Sequence, residues 1–434
     1  MFRTGFALLL CAGWPLCCWA QTASTDEELI RQLGSAEFRV REDAAKALET
    51  RAEAALPAMR NALGSTDPEV RRRLTQLISR GERTSLLTPK LVSLHVEHKL
   101  IGAVLADLSQ QTGYKLGCQQ GNAQVVTLNI DNMPFWQTVD LICQQTGLGL
   151  QPYYDNTNTL MFYRVGKFSP HVCYAGPFRI TAGSFHLSKT LELNAQQQFG
   201  LGANALFSPP RTRTEALTFA FHVIGEPKVP LMSLGQTQLT KAIDDQGNSL
   251  VPPQLRNYET NYHNYYYGYR NPQLQSQVQL VGPGTAQTLR VLKGSLPVTF
   301  LAEQRPEITV LDIMNVKNQK FDGGQVSLEI EEVKETNKQI HIKATARRNA
   351  PENQQDYTWT NSLAQRVELV DEKGQKFQCD SFNWDNGTPT SVSGTFQFSS
   401  SANPSLGKPT KLVYYGWVMS QHQIEFQFSD LPLP

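Results

Sequence analysis

The chain has 434 residues, of which 40% are hydrophobic and 18% are charged. At about 100 to 200 residues per domain, this length predicts three or four domains. Lys and Arg together number 40 and Asp and Glu together number 39, so the chain lacks the basic excess that nucleic-acid binding requires. Composition therefore indicates a globular protein whose partners do not include nucleic acids.

Residues 1–20 have the pattern of a cleaved signal peptide. Arg3 precedes an apolar run, and small residues at its end suit cleavage after residue 20. The run is shorter than the roughly 20 apolar residues that a bilayer span needs, and no later stretch reaches that length, so we expect no transmembrane span after cleavage. A lipoprotein is the alternative, because Cys17 and Cys18 lie near the boundary. Either reading predicts export to the periplasm, the cell envelope or the extracellular medium.

Residues 21–84 predict a helical segment. Thr25 to Glu28 has the spacing of a capping box, and Pro68 follows Asp67 at a second helix start. The pattern that begins at Phe38 returns at Pro68 and resembles a short HEAT-like helical repeat. So short a repeat needs a neighbouring domain or partner to cover it, and a docking role is favoured over that of a spacer.

Residues 85–166 predict a small module in the order βαββαββ. Leu91 to Val96 alternates apolar and polar residues as a strand does, and helical spacing follows it. The two predicted helices end in near-copies, Gln110-Gln111-Thr112-Gly113 and Gln144-Gln145-Thr146-Gly147, with Gly where a left-handed residue closes a helix. The pattern predicts two equivalent halves whose helices pack on one sheet.

These features resemble the secretin and TonB short N-terminal domain family over residues 91–165. The resemblance rests on the apolar first strand, the Asn132-Met133-Pro134 helix entry and the Gln-Thr-Gly-Leu helix exit. It implies a domain used for protein contacts in bacterial envelopes, and it implies no catalytic residue.

Beyond Val165 the helical period gives way to two-residue alternation with frequent turns, which predicts antiparallel β-sandwiches. A hairpin-like element with Asp before a turn Gly occurs twice, at 242–250 and 368–377, and indicates two sandwiches, 167–304 and 305–434. We interpret its Asp residues as structural, since a calcium cage needs more oxygen donors. The predicted fold is multi-domain α+β: a short helical repeat, a small βαββαββ module and two antiparallel β-sandwich domains.

A Tyr-rich insertion at 257–272 interrupts the first predicted sandwich. Tyr offers a large flat contact surface with a hydrogen-bonding tip, so the insertion predicts a binding loop; a mobile low-complexity loop is the alternative. The candidate binding residues are Tyr258, Tyr262, Tyr265, Tyr266, Tyr267 and Tyr269.

The sequence offers little evidence of reactive chemistry. His95 and His98 are three residues apart on a predicted strand and should face opposite ways, so we predict no metal site and no cofactor. Two acidic pairs, Glu331 with Glu332 and Asp380 with Asp385, could act as the carboxylates of a glycosidase, although such acids on exposed hairpins usually serve solubility.

Four cysteines follow the predicted leader, which is too few for a disulfide scaffold. Export permits one bridge between Cys118 and Cys143, which lie in the same small module. Buried thiols acting as small hydrophobic groups are the alternative.

The sequence as a whole predicts a non-catalytic, exported envelope protein. Its expected partner is an envelope or secreted protein, with cell-wall glycan as an alternative, bound through the Tyr-rich insertion and the exposed edges of the central module. A carbohydrate-active hydrolase with its site on the sandwich loops is the second hypothesis, and a regulatory ectodomain is the third.

Overall fold

The computed structural model describes residues 25–118, 123–150, 159–164, 170–191, 213–252, 273–337, 339–349, 358–399 and 405–434. The predicted signal peptide and the Tyr-rich insertion lie outside these ranges. The chain divides into two compact units, with the boundary between Ser85 and Leu86. No helix among the described residues is both long and apolar enough to cross a bilayer.

The first unit is helical, as predicted. Thr25 caps its first helix by accepting a hydrogen bond from the Glu28 N–H at 3.3 Å, and Asp67 caps the last one by accepting from the Glu69 N–H at 2.8 Å. Apolar side chains of these helices, among them Leu33, Leu48 and Leu74, form a separate core. The helices are α1 (Asp26–Gln32), α2 (Phe38–Thr50), α3 (Ala52–Asn61) and α4 (Pro68–Leu87).

The second unit begins with the βαββαββ module, and the predicted order of its elements is confirmed. These are β1 (Leu91–Leu100), α5 (Ile101–Thr112), β2 (Leu116–Cys118), β3 (Val125–Pro134), α6 (Phe135–Thr146), β4 (Leu148–Leu150) and β5 (Leu160–Arg164). The expectation of one sheet is wrong, because β1 pairs only with β3 among the described strands, while β2, β5 and β4 form a second sheet. Side chains of α5 and α6 form hydrogen bonds with the backbone of β1 and β3.

Strands make up most of the remaining chain, which confirms the α+β class. They are β6 (Val172–Ala175), β7 (Phe178–Leu191), β8 (Arg213–Gly225), β9 (Leu231–Leu234), β10 (Gln238–Asp244), β11 (Gln273–Val281), β12 (Thr288–Leu311), β13 (Gln319–Asp322), β14 (Val326–Thr336), β15 (Gln339–Arg348), β16 (Val367–Asp371), β17 (Gln378–Gly387), β18 (Ser391–Ser399) and β19 (Pro409–Pro432), with a short helix α7 (Thr358–Asn361) before β16.

Three sheets share this region. One has the order β11-β8-β7-β6, a second has the order β10-β12-β19-β16 with β9 also on β12, and a third has the order β13-β14-β15-β18-β17. The first sheet shares a core with the N-terminal part of β12 and the C-terminal part of β19, and we call this the first β unit. The third sheet shares a core with β16 and the other parts of β12 and β19, and we call this the second β unit.

Two long strands connect the β units. The strands β12 and β19 have 24 residues each and pair antiparallel along nearly their whole length, from Thr288 with Pro432 to Leu311 with Lys411. The predicted boundary between residues 304 and 305 therefore falls inside one strand. The C-terminal part of β19 packs in the first β unit through Phe426 and Phe428.

Candidate interaction surface

The βαββαββ module contains two copies of one βα element, offset by 34 residues. The helix α5 starts where the Ile101 N–H donates to Gln124 O, and α6 starts where the Phe135 N–H donates to Lys90 O, both at 2.8 Å. Each helix ends on a left-handed Gly, Gly113 at φ +76° and Gly147 at φ +68°, a conformation that glycine adopts without steric cost.

The repeated Gln-Gln-Thr-Gly endings hold the strand edges. The Gln111 side chain accepts from the Ser93 N–H at 3.1 Å and donates to Ser93 O at 2.9 Å, and Gln145 makes the same two bonds to Thr127 at 3.1 and 2.9 Å. An edge strand normally presents such groups to an added strand. At Ser93 and Thr127 the edge groups therefore already have partners, and binding through the edges of the module stays a prediction.

The face of β1 and β3 that points away from the core remains exposed, and we call it the ribbon face. The inward residues, such as Val92, Leu94 and Val126, are buried. Three large apolar side chains are exposed instead: Leu91 at 53%, Leu100 at 52% and Val125 at 47%. The ribbon face consists of Leu91, Ser93, His95, Leu100, Val125, Thr127, Asn129 and Asp131.

The apolar residues lie at the two ends of the ribbon face and polar residues lie between them. Leu100 is paired with Val125 at one end, and Leu91 is paired with Pro134 at the other. Adjacent exposed apolar side chains, such as Leu100 and Val125, indicate a contact surface more often than single ones do. The sequence alternation identified the two strands but could not show which face lacked a cover.

His95 is the centre of the ribbon face. Its Nδ1 lies 2.5 Å from Asn129 Oδ1, and its Nε2 lies 3.1 Å from Asp131 Oδ1. The hydrogen bond to Asn129 and the charge of Asp131 raise the pKa of His95. Within the described ranges, no group of three or more His, Cys, Asp or Glu side chains is placed to hold a metal ion.

A buried ion pair fixes the module to the first β unit. Arg179 Nε on β7 lies 2.8 Å from Asp140 Oδ2 on α6, and the side chains are 11% and 5% exposed. Tyr174 donates its hydroxyl to the same carboxylate at 2.5 Å. Trp136, one turn earlier on α6, donates its Nε1–H to Pro177 O at 3.0 Å. The module is thus held by directional contacts that sequence reasoning could not find.

Glu226 makes a second buried contact at the same junction. Its carboxylate accepts from the Tyr114 hydroxyl at 2.7 Å and from the Lys90 N–H at 3.1 Å. Burial raises the pKa of Glu226, although these two hydrogen bonds oppose the shift. With two such junctions, the ribbon face is presented on a rigid support.

The other candidate binding residues lie outside the described part of the chain, and the two candidate disulfide cysteines lie inside it. All six tyrosines of the insertion, Tyr258, Tyr262, Tyr265, Tyr266, Tyr267 and Tyr269, lie outside the described residues. Cys118 and Cys143 are thiols with no bond between them, so a bridge stays a prediction. Burial, with the charge of Asp140, raises the pKa of Cys143 to about 12.

In the first of the two acidic pairs, both carboxylates contact basic side chains. Glu331 lies 2.9 Å from Lys343 Nζ and Glu332 lies 2.7 Å from Lys334 Nζ. The strand β17 carries Asp380 and Asp385.

Asp244 accepts from the N–H groups of Gln246 at 2.9 Å and Asn248 at 2.7 Å. Asp371 accepts from those of Lys373 at 2.9 Å and Gln375 at 2.8 Å. These bonds support the structural interpretation of both aspartates.

Comparison with known proteins gives no relative: no protein-family model, curated protein or solved structure matches the chain.

Proposed function

We propose that this chain is an exported, non-catalytic envelope protein that binds another protein through the ribbon face. The proposal includes the finer architecture expected from the sequence: a HEAT-like helical repeat, a secretin-like module and two β-sandwiches that share β12 and β19. The resemblance to the secretin and TonB short N-terminal family supports a role in protein contacts, and the presentation of an uncovered face on a rigid support is consistent with it.

The exposure of Leu91, Leu100 and Val125 on one face carries the proposal. Burying an aliphatic side chain stabilises an association by about 1.5 to 3 kcal/mol when the whole side chain leaves water. Each of these residues is about half exposed, so each offers roughly 1 kcal/mol to a partner that covers it. No comparable gain comes from the polar centre, whose groups already bond to one another.

The geometry of the ribbon face limits its partner. Leu91 and Leu100 are nine residues apart on one strand, which places them roughly 30 Å apart at about 3.3 Å per residue. Two strands of this length present roughly 300 Å² of flat surface, below the 800 Å² or so per partner of a standard interface. We therefore propose a polypeptide partner with two apolar contacts separated by a polar centre, bound weakly unless further surfaces contribute.

Photo-crosslinking tests the proposal directly. A photoreactive amino acid is introduced at Leu100 and, in a second variant, at Val125, in the full chain produced in the source cell. Both should crosslink to the same protein, and the crosslinked peptides should contain apolar residues. The matched control is Leu311, which is 70% exposed at the end of β12 and should not capture that protein.

The variant with Leu91, Leu100 and Val125 all replaced by Ser should lose the crosslink from a probe at Asn129, while its thermal unfolding midpoint stays close to that of the wild type. Different proteins at the two positions, or equal capture at Leu311, would refute the ribbon face as the contact.

A further inference from the structure

The two β units repeat one arrangement, which provides an internal comparison. Asp244 and Asp371 make equivalent turns, in which the Leu250 N–H donates to Ala242 O and the Phe377 N–H donates to Leu369 O, both at 2.8 Å. The isolated bridges that close these turns correspond as well. The strand order β6-β7-β8-β11 also matches β13-β14-β15-β18. Features found in one unit only are therefore not required by the shared scaffold.

Within the described parts of the two β units, a cluster of arginine and aromatic side chains occurs in the second unit and not in the first. The Arg366 guanidinium carbon lies 4.1 Å from the centre of the Trp417 ring, and Arg366 Nε donates to Ser362 Oγ at 2.9 Å. Trp359 donates its Nε1–H to the Tyr414 hydroxyl at 2.9 Å.

The first β unit has small or rigid residues at the matching positions. The Leu292–Ala242 pair of the first unit corresponds to the Leu412–Leu369 pair of the second. Two residues after these leucines, the first unit has Gly294 and the second has Tyr414. Five residues after the leucines, the first unit has Pro297 and the second has Trp417. The cluster is thus an addition to the repeated fold.

Arg348, at the end of β15, belongs to this cluster and has one unsatisfied side. Its guanidinium carbon lies 5.7 Å from the centre of the Trp359 ring. Its Nε and Nη2 are buried, and neither has a hydrogen-bond partner. A buried donor without an acceptor costs about 1 to 3 kcal/mol, and more when it is charged. Among the described residues, no ion pair includes Arg348.

The charges nearby do not remove this cost. Arg366 is buried, and its pKa is lowered mainly by burial and also by the charge of Arg348. Glu307 raises the pKa of both Arg366 and Tyr414, but its own Oε2 is buried without a hydrogen-bond partner. Arg348 and Arg366 therefore lie in a poorly hydrated region, where Glu307 is the described carboxylate that acts on Arg366.

Nε and Nη2 of Arg348 form the edge of the guanidinium group that can donate two parallel hydrogen bonds to a pair of oxygens. This protein already shows the arrangement elsewhere, where Arg72 donates from Nε and Nη2 to the two oxygens of Glu69 at 2.9 and 2.8 Å. Such paired bonds suit the planar oxygens of a carboxylate or the oxygens of a phosphate. We propose that Arg348 binds the carboxylate or phosphate group of a ligand through Nε and Nη2, beside Trp359 and Arg366.

Anion titration of the full chain tests this site. Thermal unfolding is followed as sodium acetate or inorganic phosphate replaces sodium chloride at constant ionic strength, and the apparent Kd for each oxyanion is extracted. The replacement of Arg348 by Met should raise the apparent Kd at least tenfold.

The variant Arg348→Lys keeps the charge but lacks the paired N–H groups, and it should also bind at least tenfold more weakly. The matched control is Arg347→Met, because Arg347 is the next residue but is exposed and paired with Glu329 at 2.9 Å; its Kd should stay within twofold of wild type.

The same assay distinguishes a carboxylate ligand from a phosphorylated one. A response to acetate indicates a carboxylate ligand, and a response to phosphate alone indicates a phosphorylated one. The proposal is overturned if neither oxyanion stabilises the wild type more than chloride does. It is also overturned if the Arg348 variants titrate like the wild type, or if Arg347→Met weakens binding as much. None of these results bears on the ribbon face, whose test uses different residues.

Discussion

Replacing Arg179 by Met should loosen the module from the first β unit. The substitution removes the guanidinium that lies 2.8 Å from Asp140 and keeps most of the aliphatic stem. Asp140 is then a buried carboxylate whose remaining contact is the Tyr174 hydroxyl at 2.5 Å. A carboxylate left buried without its cation destabilises the folded state because it has lost hydration without compensation.

The expected cost follows from the burial of both groups. Breaking a buried ion pair by removing one partner costs about 3 to 5 kcal/mol, and each 1.4 kcal/mol or so is a factor of ten in an equilibrium constant. Amide hydrogens of α6 that exchange when the junction opens should therefore lose protection by roughly 140- to 4,000-fold. The double variant Asp140→Leu with Arg179→Met should recover most of this loss, since it leaves no unpaired charge.

Hydrogen exchange with mass spectrometry on peptides from residues 135–146 of the full chain measures this effect. The matched control is Lys189→Met on the same strand, because Lys189 lies 3.4 Å from Glu215 in a pair that is partly exposed. Exposed pairs contribute at most about 1 kcal/mol, so protection should fall no more than about fivefold. Equal protection in Arg179→Met and wild type would refute the role of the ion pair.

The side chains of Gln111 and Gln145 make equivalent bonds, so Gln111→Ala and Gln145→Ala should each lower the free energy of unfolding by about 1 to 2 kcal/mol. Urea unfolding of the two variants checks this, and a large loss in only one would contradict their equivalence. Glu226→Gln should gain stability relative to wild type as the pH rises. Because burial raises the pKa of Glu226 above its ordinary value of 4.5, its ionisation costs folding free energy between the unfolded and folded pKa values. Thermal unfolding of the variant and the wild type should show a stability difference that grows with pH between these two pKa values and stays constant above them. A stability difference that does not change with pH would rule the mechanism out.

Local patterns in the sequence predicted the module well. The alternation in β1 and the glycines at 113 and 147 specify strands and helix ends within a few residues of chain. The repeated Gln-Thr-Gly ending was visible, but its function depends on Ser93 and Thr127, each 18 residues before its glutamine.

Contacts between distant parts of the chain could not be predicted in this way. Arg179 meets Asp140 across 39 residues, and Glu226 meets Tyr114 across 112. The strand β12 contains Pro297 and Pro306, which locally suggest strand ends, yet it pairs with β19 past both. Only tertiary packing shows that, in the part of the chain that the structure describes, the ribbon face is exposed and Arg348 lacks an acceptor.

The affinity of the crosslinked partner for the purified chain tests the central claim most directly. Isothermal titration should give a Kd that rises by about tenfold or more in the Leu100→Ser, Val125→Ser double variant, because two half-exposed apolar side chains lose their contacts. The control Leu311→Ser should bind like the wild type. A Kd unchanged by the double variant would show that the partner binds elsewhere and would contradict the proposed function of the ribbon face.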